Sequence, residues 1–251
     1  MNDPTPKPIP WYRRVPEETP YNVWVAWMGA TAGGVFAGMV GVVLLIIFVS
    51  GEFARNLELM LLASGVLCGL IVGGLQGLVL SRALARGIWR YWIVISVVGI
   101  TAGLFATRLS WFILDSAYHS LFGVDPYRSS LGLEGLATAT LGSAICAALG
   151  GLVLGCAQWL VLRRYVERAG QWITGSTAAA AAAAMGVILI LWVVLIFGFI
   201  QGWGFIYLYL FGIGCMPWPI MAGITGWVLL KLLKEPERPD TTIWTQSTET
   251  K

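Results

Sequence analysis

Gly65-Val66-Leu67-Cys68-Gly69-Leu70-Ile71-Val72-Gly73-Gly74-Leu75-Gln76-Gly77 sets a glycine at every fourth position of a run that is otherwise almost wholly apolar. In a water-exposed helix each internal glycine costs about 1 kcal/mol against alanine. Within lipid the same spacing bares one stripe of the helix and lets two backbones meet. Gly65, Gly69, Gly73 and Gly77 therefore read as the packing face of a membrane helix, a glycine zipper. The spacing returns as Gly29, Gly33, Ala37 and Gly41, and again as Ser143, Ala147, Gly151 and Gly155, so it belongs to the architecture and not to one segment.

The surrounding chain fits that reading. Its 251 residues are 57% hydrophobic and 12% charged, with a mean hydropathy of +0.76, whereas soluble domains carry about 25% charged residues. The expected class is an all-α integral membrane protein. Apolar stretches long enough for a hydrocarbon layer of about 30 Å predict six transmembrane helices: Trp24 to Val49, Leu57 to Leu84, Trp89 to Leu109, Leu136 to Leu162, Ser176 to Ile200 and Phe205 to Leu233. If the N-terminus is cytoplasmic, thirteen of the sixteen Lys and Arg residues fall on that side, Arg82, Arg163 and Arg164 among them as anchors. Only Arg55, Arg108 and Arg128 fall opposite. This asymmetry predicts that both termini are cytoplasmic.

Three regions follow: a Pro-rich cytosolic arm over 1–20 without a cleavable signal, a membrane domain over 21–234, and a Thr-rich charged tail over 235–251 that reads as disordered. Between the third and fourth spans, the aromatic stretch from Trp111 to Phe122 suggests a short helix lying at the outer interface. Around Gly202-Trp203-Gly204, the residues Phe205, Tyr207, Tyr209 and Phe211 suggest an aromatic girdle.

The second and fourth spans end alike. Gly73-Gly74-Leu75-Gln76-Gly77-Leu78-Val79-Leu80-Ser81-Arg82 and Gly155-Cys156-Ala157-Gln158-Trp159-Leu160-Val161-Leu162-Arg163-Arg164 share glycine, glutamine, the Leu-Val-Leu run and a closing arginine. With a shift of one residue, Gly87 and Trp89 match Gly170 and Trp172, and the sixth span echoes the pattern in Gly223, Gly226, Leu229, Leu230 and Lys231, without the glutamine. Three repeated hairpins are the economical account. Gln76 and Gln158 lie about one and a half turns inside the arginines, where an unpaired amide is costly. The reading is an intramembrane clamp to a neighbouring helix or a buried water; the alternative is a polar contact along a solute path.

Other candidates are weaker. Cys68, Cys146, Cys156 and Cys215 fall in apolar segments without a Cys-x-x-Cys pair and read as small packing residues. Asp115 and His119, four apart, are too few to form a metal shell and read as a solvated pair. Pro217 and Pro219 suggest a kink within the last span, and Ala178 to Ala184 a slim helix suited to lie against a glycine ladder. Trp11-Tyr12-Arg13-Arg14 reads as an interfacial anchor. The scattered basic residues form no stripe for nucleic acid. No cofactor is indicated.

Gly155-x-x-Gln158-Trp159-Leu160-Val161-Leu162-Arg163-Arg164 followed by Ala169-Gly170-Gln171-Trp172 resembles a family of uncharacterised bacterial multi-pass membrane proteins, in which a Gly-rich helix ends in Gln-Trp-Leu-x-Leu-Arg. Gly223 to Leu233 is similar to that family's closing helix. The resemblance implies a bacterial plasma (inner) membrane location and transfers no catalytic residue.

Abundant packing surface and sparse chemistry point to a non-catalytic membrane subunit or scaffold, not an enzyme. Its partners would be the bilayer and either another membrane protein or a second copy, for example as an accessory subunit of an energy-converting complex. The spans read as free of intramembrane Asp, Glu, Lys or Arg, the usual mark of pumps and coupled transporters, which argues against ion-coupled transport. The alternative function is a channel or facilitator for a small neutral or apolar solute.

Overall fold

The computed structural model describes residues 20–48, 56–84, 87–122, 133–196 and 217–234, and among these are six helices and no strand. They are α1 (Pro20–Phe48), α2 (Leu57–Ala83), α3 (Ile88–Phe122), α4 (Leu133–Leu162), α5 (Gly170–Ile196) and α6 (Pro217–Lys234). The first five are long and apolar enough to cross a membrane, and α6 contributes a shorter apolar stretch, Trp218–Leu233. Residues 1–19 of the expected arm, the tail 235–251, the aromatic loop at 202–211 and Cys215 lie outside the described residues.

Local chemistry sets several helix ends. Asn56 caps α2, its Oδ1 accepting from the backbone N–H of Glu58 at 3.1 Å and of Leu59 at 3.2 Å, which satisfies two donors that have no partner within the helix. Glu58 in that first turn adds a favourable charge. At the end of α4 the N–H groups of Tyr165 and Val166 turn back onto the Leu162 carbonyl. Of α6, the described residues begin at Pro217. The expected kink at Pro217 and Pro219 depends on the residues before Pro217, which lie outside the described residues.

The third helix also differs from expectation. The segment from Trp111 to Phe122 is not a separate interfacial helix: α3 runs unbroken for 35 residues, about 52 Å at 1.5 Å per residue. No glycine or proline stands between Leu104 and Phe122. Thr107, Ser110 and Ser120 each return a hydroxyl to the carbonyl four residues back, Gly103, Ala106 and Ser116. The extension packs on α4, where a methyl added at Gly142 would come within 3.1 Å of Leu114.

Each helix packs against its neighbours in sequence, and α6 packs against both α5 and α1, which closes a ring of six. The outside of the ring is apolar: Val94 is 64% exposed, Phe112 62% and Leu141 61%. Such a surface is suited to lipid.

Glycines lie at the closest approaches of adjacent helices. Along α2, a methyl added at Gly65, Gly69, Gly73 or Gly77 would meet Thr101, Val97, Ser96 or Trp89 of α3, with Thr101 Cα at 2.7 Å, Ser96 Cβ at 2.7 Å and Trp89 Cα at 3.2 Å. Between α4 and α5 the pattern returns: Gly151 meets Ala180 Cβ at 2.6 Å and Gly155 meets Ser176 Cβ at 3.0 Å. On α3 and α4, Gly103 and Gly150 face each other, each within 2.9 Å of the other's carbonyl oxygen once a methyl is added. On α1 the contacting glycines are Gly34 and Gly38, against Val72 and Cys68, with Gly41 against Leu67. Gly29 and Gly33, expected on that ladder, are exposed and meet nothing within 4 Å.

Candidate functional site

Trp27, Trp92 and Trp172 stand near the starts of α1, α3 and α5 and are 0%, 0% and 1% exposed. Their rings form a triangle of edge-to-face pairs, with centroids 6.2 Å apart for Trp27 and Trp92, 6.0 Å for Trp92 and Trp172, and 5.5 Å for Trp27 and Trp172. Each such pair contributes about 0.5–1.5 kcal/mol beyond the area it buries. Because the three rings come from alternate helices of a closed ring, they bring its three hairpins together at one point.

A buried indole needs an acceptor for its N–H, and α2 and α4 supply two. Trp92 Nε1 donates to Gln76 Oε1 at 3.2 Å, while Gln76 Nε2 donates to Thr31 Oγ1 on α1 at 2.9 Å. One hairpin later, Trp172 Nε1 donates to Gln158 Oε1 at 3.0 Å, and Gln158 Nε2 donates to Ser96 Oγ on α3 at 3.2 Å. Each glutamine thus joins the helix before it to the helix after it, with both ends of the amide engaged. At the third position Trp27 Nε1 donates to Thr225 Oγ1 of α6 at 3.1 Å. The Thr225 hydroxyl donates within its own helix, to Met221 O at 2.8 Å.

The ends of the even helices pack into the same apolar core as the triad. Leu80, Leu162 and Leu229 are at most 1% exposed and share a core with Ala83, Ile88 and Leu232. That shared core puts the ends of α2, α4 and α6 at the same end of the ring as the starts of α1, α3 and α5. Arg82, Arg163 and Arg164 emerge there, Arg163 and Arg164 exposed and Arg82 exposed beside the half-buried Ser81. Arg163 lies 4.9 Å from the Trp159 ring centroid, Lys231 5.9 Å from that of Trp227 and Arg90 5.4 Å from that of Trp89, all within cation–π reach.

The match between the hairpins shifts register once the chain is folded. The indole equivalent to Trp172 is Trp92, three residues beyond Trp89; Trp89 instead packs its backbone against Gly77. On α6 it is Thr225 that accepts an indole N–H, as Gln76 does on α2 and Gln158 on α4. The spacing that could have revealed this is tryptophan, then Ser or Thr four residues later, then Gly or Ala seven and eleven residues later: Trp27, Thr31, Gly34, Gly38; Trp92, Ser96, Gly99, Gly103; Trp172, Ser176, Ala179, Ala183.

Elsewhere Asp115 and His119 are exposed on α3, Cys68 is half-buried, Cys146 buried and Cys156 exposed, each a free thiol. Among the described residues no group of three or more His, Cys, Asp or Glu side chains could hold a metal ion. The buried polar side chains there are hydroxyls and amides: Thr31, Gln76, Ser96, Ser143, Gln158, Ser176 and Thr225. They can bind by hydrogen bonds and fix helix positions, and they hold no charge.

The apolar exterior, the spanning helices and the buried polar circuit define a multi-pass helical membrane protein. No protein-family model, curated protein or solved structure matches the chain.

Proposed function

We propose that this chain is a non-catalytic membrane subunit or scaffold that holds a transmembrane helix of another protein against α1, such as an accessory subunit of a larger energy-converting complex in a bacterial inner membrane. The observation that carries this reading is the bare face of α1. Gly29, Gly33 and Ala37 are exposed, with nothing within 4 Å of an added methyl at either glycine, whereas the α2 ladder and Gly151 and Gly155 of α4 are filled by neighbours within the chain. Their spacing is the one that admits a close helix partner. Phe36 and Val40 flank it, 55% and 44% exposed, so the occupant would be apolar.

The same reading treats α1–α2, α3–α4 and α5–α6 as three copies of one hairpin, supported by the recurrence of tryptophan, hydroxyl and small residues. Both termini then face the cytoplasm, on the strength of the basic residues at that end. A solute path is disfavoured because Gln76 and Gln158, which would have to line it, already use both ends of their amides.

The test is mild-detergent extraction of the chain from its native membrane followed by mass spectrometry of what remains bound. Gly33→Leu should keep the wild-type thermal midpoint and lose the bound subunit. Retention of the same partner by Gly33→Leu, or isolation of the wild-type chain alone, would refute the proposal. A second copy of the chain as the bound species would replace hetero-assembly with self-association.

A further inference from the structure

The polar circuit is complete at two of its three positions. Thr31 and Ser96, each one turn beyond a triad tryptophan, accept a hydrogen bond from a glutamine Nε2. Ser176 stands one turn beyond Trp172 and is 4% exposed, yet its Oγ has no hydrogen-bond partner. The helix that should supply the donor is α6, which packs closely on α5 at this depth: a methyl added at Gly175 would come within 2.7 Å of Val228 Cγ2. In that helix the position of Gln76 and Gln158 is occupied by Thr225. Threonine matches the carbonyl end of the amide by accepting from Trp27. It cannot match the other end, because its only proton is held within its own helix by Met221 O at 2.8 Å and Ala222 O at 3.3 Å and its side chain is shorter than that of glutamine.

We propose that a single buried water molecule takes the place of the absent amide nitrogen, bridging Ser176 Oγ and Thr225 Oγ1 at the seam where α5, α6 and α1 meet. Water has the two protons this position lacks, one for each hydroxyl oxygen. Thr225 Oγ1 keeps a lone pair to receive it after accepting from Trp27. A buried water is stable where two or more polar partners converge, and Ser176 is the unmet one. The circuit around the triad is thereby closed by protein at two positions and by solvent at the third.

An experimental structure of the full chain in lipid, at a resolution that shows ordered water, tests this directly. Density within about 3 Å of both hydroxyl oxygens upholds the site. A direct Ser176 to Thr225 bond, or no density between them, overturns it. Thr225→Gln provides an independent arm, because the new amide should expel the water and serve Trp27 and Ser176 together. The thermal midpoint should then rise by about 3 °C, the shift for one net hydrogen bond in a chain of this size, and the rise should vanish in a Ser176→Ala background. An equal shift in both backgrounds, upward or downward, means that Ser176 has no unmet need there and overturns the proposal.

Discussion

Trp172 and Gln158, on different helices, meet through an indole N–H whose nitrogen lies 3.0 Å from the amide Oε1, and the other end of that amide holds Ser96 of a third helix. One side chain therefore bridges α3, α4 and α5.

Gln158→Leu should unfold the bundle more easily. It strands the indole N–H of Trp172 and the hydroxyl of Ser96 in a buried site, and unmet polar groups of that kind cost about 1–3 kcal/mol each. In detergent, a lower thermal midpoint is expected, with Trp172→Phe in the same chain recovering part of the loss. An unchanged midpoint for Gln158→Leu would mean that the amide stabilises nothing.

Two adjacent glycines should respond in opposite ways. Gly73→Leu drives a side chain into Ser96 and the backbone of Ile93, whereas Gly74→Leu meets open space. Size-exclusion chromatography should show the first variant aggregated or absent and the second close to wild type. Equal behaviour would mean that α2 and α3 do not touch through the ladder.

Trp92→Ala should cost about 3–5 kcal/mol, the range for emptying a large buried aromatic site. The near-ultraviolet circular dichroism, to which all thirteen tryptophans contribute, should lose more in Trp92→Ala than in Trp227→Ala, which removes an exposed indole outside the triad, because removing Trp92 breaks two of the three ring pairs. Equal losses in the two variants would show that the indoles do not interact.

Sidedness follows from the shared core at one end of the ring. In a chain without its four native cysteines, Arg82→Cys and Arg164→Cys should react with a membrane-impermeant maleimide from one face, and Ser116→Cys from the other. Labelling of Arg82→Cys and Arg164→Cys from different faces would break the alternation of the helices.

The sequence shows some of this plainly and conceals the rest for physical reasons. On α2 the ladder is legible because its glycines sit at one four-residue spacing with little competition. On α1 glycine falls on two adjacent stripes, Gly29 with Gly33 and Gly34 with Gly38, and spacing does not say which one meets α2. Gln76 and Gln158 stand out as amides in apolar surroundings. Thr225 does not, since a helical threonine can satisfy itself against its own backbone, and only its place before Val228, Leu229 and Lys231 marks it. The triad is hidden because tryptophan near a helix start also suits the headgroup layer. The length of α3 escapes the sequence because an aromatic-rich segment reads as interfacial until its packing on Gly142 is known.

The ring closes between α6 and α1, with Val23 and Leu232 in one core. A circularly permuted polypeptide that starts at Gly87 and joins residue 234 to residue 20 through a short linker would give every helix the neighbours it has now. The order in which the hairpins are synthesised is thus separable from the architecture they build.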